Sequence, residues 1–186
     1  MPGSGATFDA NDPVARPVVA AQAELAREDL AAGDVDRCVV EAFAYGDEAA
    51  AEFEAGCALL DTAGRVDEWA RVAERLFFHR PTDVRVARKL AAYYLERSDA
   101  KRALPKLQIC YKSNARDVVT LDLLASAFRA LNQLPKTISV LKEIARIHNG
   151  EGKLKERNEV YQRVLELAPT DTEAREALRA GSHATR

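Results

Sequence analysis

The 186-residue chain is poor in several things, and each shortage removes a class of protein. Aromatic residues make up 6% of it, with one Trp, and β-branched runs are few, so a large sheet is not expected. No stretch approaches 18 consecutive apolar residues, the length a membrane-crossing helix needs. The N-terminus lacks a basic region followed by an apolar run, so no secretory signal is expected. There are three cysteines, Cys38, Cys57 and Cys110, without C-x-x-C spacing. An odd, scattered set suits free thiols in a reducing cytoplasm rather than a disulfide framework or a zinc site. His79, His148 and His183 are as scattered, and no His/Cys/carboxylate spacing suggests a metal or a catalytic set. No Gly-rich phosphate loop appears. The reading is of a non-enzyme without cofactor or metal.

Net charge is close to zero, at −2, but unevenly spread. Residues 1–79 hold 6 Lys/Arg against 16 Asp/Glu; residues 80–116 hold 10 against 3; the remainder is nearly balanced. An acidic start and a basic middle can steer partners. The plainer reading is solvated helix faces with cations at i+3 or i+4 from carboxylates.

What is present is helical periodicity. In residues 83–117, Ala87, Leu90, Ala91 and Tyr94 fall at i, i+3, i+4 and i+7, and Ala103, Leu107 and Cys110 form a second stripe after Arg97-Ser98-Asp99. Asp83 and Asp117 each precede an apolar-periodic run, where a carboxylate caps free N–H groups. A helical hairpin this small cannot bury both faces alone and needs copies beside it. Shifting the frame by 34 residues finds them. Cys57, Ala91 and Ala125 put a small residue at the eighth position, and Leu60, Tyr94 and Phe128 a bulky one at the eleventh. Gly64, Ser98 and Asn132 recur at the turn.

Leu90, Ala91, Tyr94 and Ala103 match the consensus of the tetratricopeptide repeat family, which the chain resembles over residues 50–180; Leu107 and Cys110 are near matches. Trp69 stands where that pattern has a small residue, and Thr137 is polar there. The resemblance implies an all-α, right-handed superhelical solenoid of tandem antiparallel hairpins, here of about ten helices. The expected organisation is a flexible lead over 1–12 and one solenoid over 13–180. Within it lie a degenerate helical pair at 17–46, repeats at 50–83, 84–117 and 118–151, and helices at 153–168 and 172–180. A tail, 181–186, follows. Pro105 predicts a kink or late start in the second helix of the central repeat. One ambiguity stands: Tyr161, Val164 and Pro169 fit the later positions of a repeat starting at Ile138, so the helix over 135–148 reads as second helix of one repeat or first of the next.

The resemblance also implies a function. First helices of successive repeats line a groove in that family. The equivalent positions include Arg85, Arg88, Lys89, Ala92, Asp122, Ser126 and Arg129, with Ala92 and Ser126 leaving room for a peptide backbone. The expected role is a non-catalytic adaptor of a bacterial cytoplasm that binds a peptide or helix of another protein, with an acidic one suiting the cations. Two alternatives are RNA binding through the basic segment 80–116 and self-association; the net acidity disfavours nucleic acid. The Lys/Asn set with which some family members clamp a C-terminal carboxylate is not reproduced.

Overall fold

The computed structural model describes residues 54, 57, 58 and 60–183; the expected lead and the pair at 17–46 lie outside the described residues. The chain divides into two compact units, Met1–Pro81 and Thr82–Arg186. The described residues are all-helical, with no strand among them.

In the first unit a helix ends at Thr62 and α1 runs Val66–His79. Trp69, Ala70, Val72, Ala73 and Leu76 are buried, so the large indole at a small-residue position is accommodated inside. Leu60 is fully buried beside the turn that joins the two helices.

The second unit contains α2 (Val84–Glu96), α3 (Ala100–Ser113), α4 (Val118–Ala130), α5 (Leu134–Gly150), α6 (Leu154–Leu167) and α7 (Thr172–His183). Each helix packs on the next, and α2 also packs directly on α4. The core is the apolar stripe read from the sequence: Leu90, Ala91 and Tyr94 of α2, Leu107 and Cys110 of α3, Leu121, Leu124 and Ala125 of α4. Small residues at Ala87, Ala91, Ala103, Ala125 and Ala145 are fully or nearly fully buried, which lets backbones approach closely.

Two kinds of connection alternate, and each has a local cause. The first is a tight turn whose last N–H reaches back five residues: Arg65 N to Leu60 O, Asp99 N to Tyr94 O, Gln133 N to Phe128 O and Lys153 N to His148 O, at 2.8–3.0 Å. Each turn needs a left-handed residue one position earlier, and Gly64, Ser98, Asn132 and Gly152 supply it with φ of 67°, 59°, 56° and 72°. The second is a looser link. Arg80, Asn114 and Ala168 close the preceding helix by bonding Leu76 O, Cys110 O and Val164 O. An aspartate then caps the next helix, Asp83 onto Val86 N, Asp117 onto Thr120 N and Asp171 onto Ala174 N, at 3.0–3.1 Å.

These connections resolve the register ambiguity. The tight turns recur after 34, 34 and then 20 residues. Helix α5 is entered and left by a tight turn, and it packs on both α4 and α6. It is therefore second helix of one hairpin and first of the next. Adding 54 to the numbers of the α2–α3 hairpin lands on α5–α6: Leu90, Ala91 and Cys110 become Ile144, Ala145 and Val164, all buried. The same step carries Asp117 to Asp171, so α7 occupies the place of a first helix.

Two boundaries differ from expectation, and the late start that was one of two expected effects of Pro105 is absent. Helix α3 starts at Ala100 and runs through Pro105 without a late start, because Asp99 caps it by accepting from Arg102 N at 3.1 Å. The helix expected over 135–148 spans Leu134–Gly150, and the last helix reaches His183 instead of residue 180.

Candidate functional site

Arg85, Arg88, Lys89 and Ala92 lie on α2 at i, i+3, i+4 and i+7, and Asp122, Ser126 and Arg129 on α4 at i, i+4 and i+7. Each set makes one stripe, and the two helices pack side by side. Arg85, Lys89, Ser126 and Arg129 are exposed; Arg88, Ala92 and Asp122 are half-buried.

Arg88 and Asp122 each pair with a residue of another helix or its cap. Arg88 Nη2 lies 2.7 Å from Asp117 Oδ2, so its charge is neutralised by the residue that caps α4. Asp122 Oδ1 lies 2.8 Å from Arg163 Nη1 of α6. The stripe is thus less cationic than its residue types imply, and α2, α4 and α6 are laced together along it. Neither pairing was legible in the sequence alone: the partners are 29 and 41 residues apart.

The Arg88–Asp117 pair has a counterpart one 54-residue step on. Lys142 Nζ of α5 sits 2.7 Å from Asp171 Oδ2 and 3.1 Å from Glu173 Oε2, with the Lys142 and Asp171 side chains 18% and 15% exposed. Arg146 Nη2 adds Glu173 Oε1 at 3.3 Å, and Tyr161 Oη of α6 donates to the same oxygen at 3.4 Å. The bond from Lys142 holds the Asp171 carboxyl below its ordinary value, and the bond to Asp171 raises Lys142. Burial pushes Glu173 upward, but Lys142 and Arg146 outweigh it and bring that carboxyl down. Four charged side chains thereby fasten α7 to α5.

The remaining chemistry-bearing side chains are packing elements. Cys57 and Cys110 are free and buried. The Cys110 thiol, 3.6 Å from Val84 O, is pushed up by burial and so stays protonated at neutral pH. His148 occupies the place that Tyr94 holds in the earlier hairpin, with its side chain 13% exposed. Among the described residues no group of three or more His, Cys, Asp or Glu could hold a metal ion. No described helix is long and apolar enough to cross a membrane.

The class of fold is tetratricopeptide-like: tandem helical hairpins with Gly-type tight turns and direct packing between first helices. Solved structures agree at the level of fold. The chain is similar to MamA of strain AMB-1, with 20% identity, a TM-score of 0.51, and 86% of this chain and 98% of that one covered. It is similar to MamA of strain MSR-1 at 20% identity and a TM-score of 0.50, covering 88% and 98%. A thermophilic TPR protein of Thermus thermophilus also matches, at 17% identity and a TM-score of 0.42, covering 87% and 97%. No protein-family model and no curated protein matches the sequence.

Proposed function

We propose that the chain is a non-catalytic protein-interaction scaffold that receives a peptide or helix of a partner along the stripes of α2 and α4. The observation that carries this is the side-by-side placement of the two stripes on directly packed first helices. Arg85, Lys89, Ala92, Ser126 and Arg129 would touch the partner, while Arg88 and Asp122 hold the helices that present them. A cationic rim at Arg85, Lys89 and Arg129 suits an acidic partner and acts mainly on association rate and specificity. In this reading the chain works in a reducing cytoplasm, where buried free thiols are inert.

The basic segment supports an RNA-binding reading poorly. The Arg97 guanidinium lies 3.9 Å from the Tyr93 ring centroid, the Arg102 guanidinium 4.2 Å and Lys106 Nζ 5.4 Å from that of Tyr94. These cations and rings are engaged with each other.

The test is affinity purification from the source cell, then titration of the recovered partner against the chain with Arg85, Lys89 and Arg129 exchanged for Glu. Arg88 is left intact, since its reversal would oppose Asp117. The expected result is a loss of about 10- to 100-fold in affinity, steeper at low salt. Unchanged partners at unchanged affinity would overturn the assignment.

A further inference from the structure

Helix α4 presents a second stripe, Leu121, Leu124 and Phe128, which is not the one carrying Asp122, Ser126 and Arg129. It forms the floor of an open groove of about 370 Å³ walled by α3 and α5. That volume lies in the range of sites that accept ligands. The floor runs over two helical turns, roughly 10 Å, so the groove is elongated rather than a compact pit.

The walls are polar and differ in how occupied they are. On α5, Arg146 Nη1 is 3.3 Å from Glu143 Oε2 and its Nη2 reaches Glu173, so that wall is internally neutralised. On α3, Lys112 is exposed and makes no ion pair among the described residues. Gln108 stands one turn before it, and Tyr111 is 43% exposed beside the apolar floor. The exposed side chains of Gln108, and of Ser139 on the opposite wall, hydrogen-bond to no described residue.

We propose that this groove is a second docking site, which takes an amphipathic segment of a partner protein bearing an apolar side chain next to a carboxylate. The apolar side chain would lie against the part-exposed Phe128, Val140 and Tyr111, since Leu121 and Leu124 in the floor are already buried, and would remove that surface from water. The carboxylate would meet Lys112, the cation at the mouth that no described acid offsets. Gln108 and Ser139 would bond the segment's backbone or polar side chains. An elongated floor with a polar rim on both sides fits a segment of chain better than a compact solute. The site is separate from the stripes of the proposed function, and either can fail without the other.

The probe is a displayed library of random 16-residue peptides, selected on the full chain and counter-selected on Lys112→Glu and Ser139→Trp variants. Both positions are exposed, so neither change disturbs the core. Selected peptides should share an apolar residue adjacent to Asp or Glu. Each variant should weaken them by about tenfold or more. Exchange of Arg85 and Lys89 for Glu should leave their affinity unchanged. Amide shifts on titration should fall on Gln108, Lys112, Ser139 and Val140. Four outcomes would overturn the site: no peptide whose binding depends on Lys112 and Ser139, selection of basic or uncharged sequences, shifts confined to the Arg85 and Arg129 faces, or a concentration-dependent dimer that buries the groove without peptide.

Discussion

Asp117 does more than cap a helix. Its Oδ2 accepts from Thr120 N at 3.1 Å and from the buried Thr120 hydroxyl at 2.5 Å, and faces Arg88 Nη2 at 2.7 Å. Asp83, the equivalent residue one repeat earlier, accepts from Val86 N. Asp117→Ala removes the cap and leaves a half-buried guanidinium and a buried hydroxyl without that acceptor, which should cost about 2–3 kcal/mol. Asp83→Ala should cost about 1 kcal/mol. Chemical denaturation of the two variants checks the order; equal losses would mean that Arg88 contributes nothing at Asp117. The caps themselves were legible, because Asp before an apolar-periodic run is a local signal. The ion pairs were not, because a separation of 29 residues becomes a contact only once the hairpins have stacked.

Among the elements, α3 carries a local contradiction. Pro105 lies in its interior, where it withholds an N–H from the Lys101 carbonyl and crowds the preceding turn, yet the helix is continuous. Capping by Asp99 and burial of Ala103, Leu107 and Cys110 outweigh the loss. Pro105→Ala should therefore stabilise the protein, by about 1–3 kcal/mol less what the freer unfolded chain takes back. A raised denaturation midpoint at unchanged slope is the expected reading. The sequence signalled the proline, and of the two effects it suggested the late start is absent, since the Asp99 cap and tertiary packing hold the first turn. With α5 the sequence was ambiguous for a physical reason: a helix that packs on both α4 and α6 needs two apolar stripes and satisfies two repeat registers. The stripes on α2 and α4 were readable from spacing. The groove over Leu124 was not, because its walls come from α3 and α5, which no single periodicity links.

At the scale of the molecule, charge holds the last helix. Asp171 and Glu173 have folded-state values below their ordinary ones, so their contribution is complete above about pH 4.3 and falls away as pH drops through the lowered values. Lys142 has a raised value, so its contribution is complete below about pH 10.4 and is lost as pH rises through the raised one. Docking of α7 should be level between about pH 5 and 10 and weaken on either side. The Ala174 amide, bonded to Asp171 Oδ1, reports this directly by its NMR shift and exchange rate. A midpoint near neutrality would show that these carboxylates do not govern the docking.

The double duty of α5 alters the direction in which the later helices point. Two helices separate Asp83 from Asp117, but three separate Asp117 from Asp171. Antiparallel neighbours make α2 and α4 run one way, and α5 and α7, which take up the same role afterwards, run the other. Their dipoles are opposed. The first helices of the two halves therefore turn opposite ends to the same side of the stack, and a substitution that strengthens a helix end in α2 or α4 has its counterpart on the other side in α5 and α7.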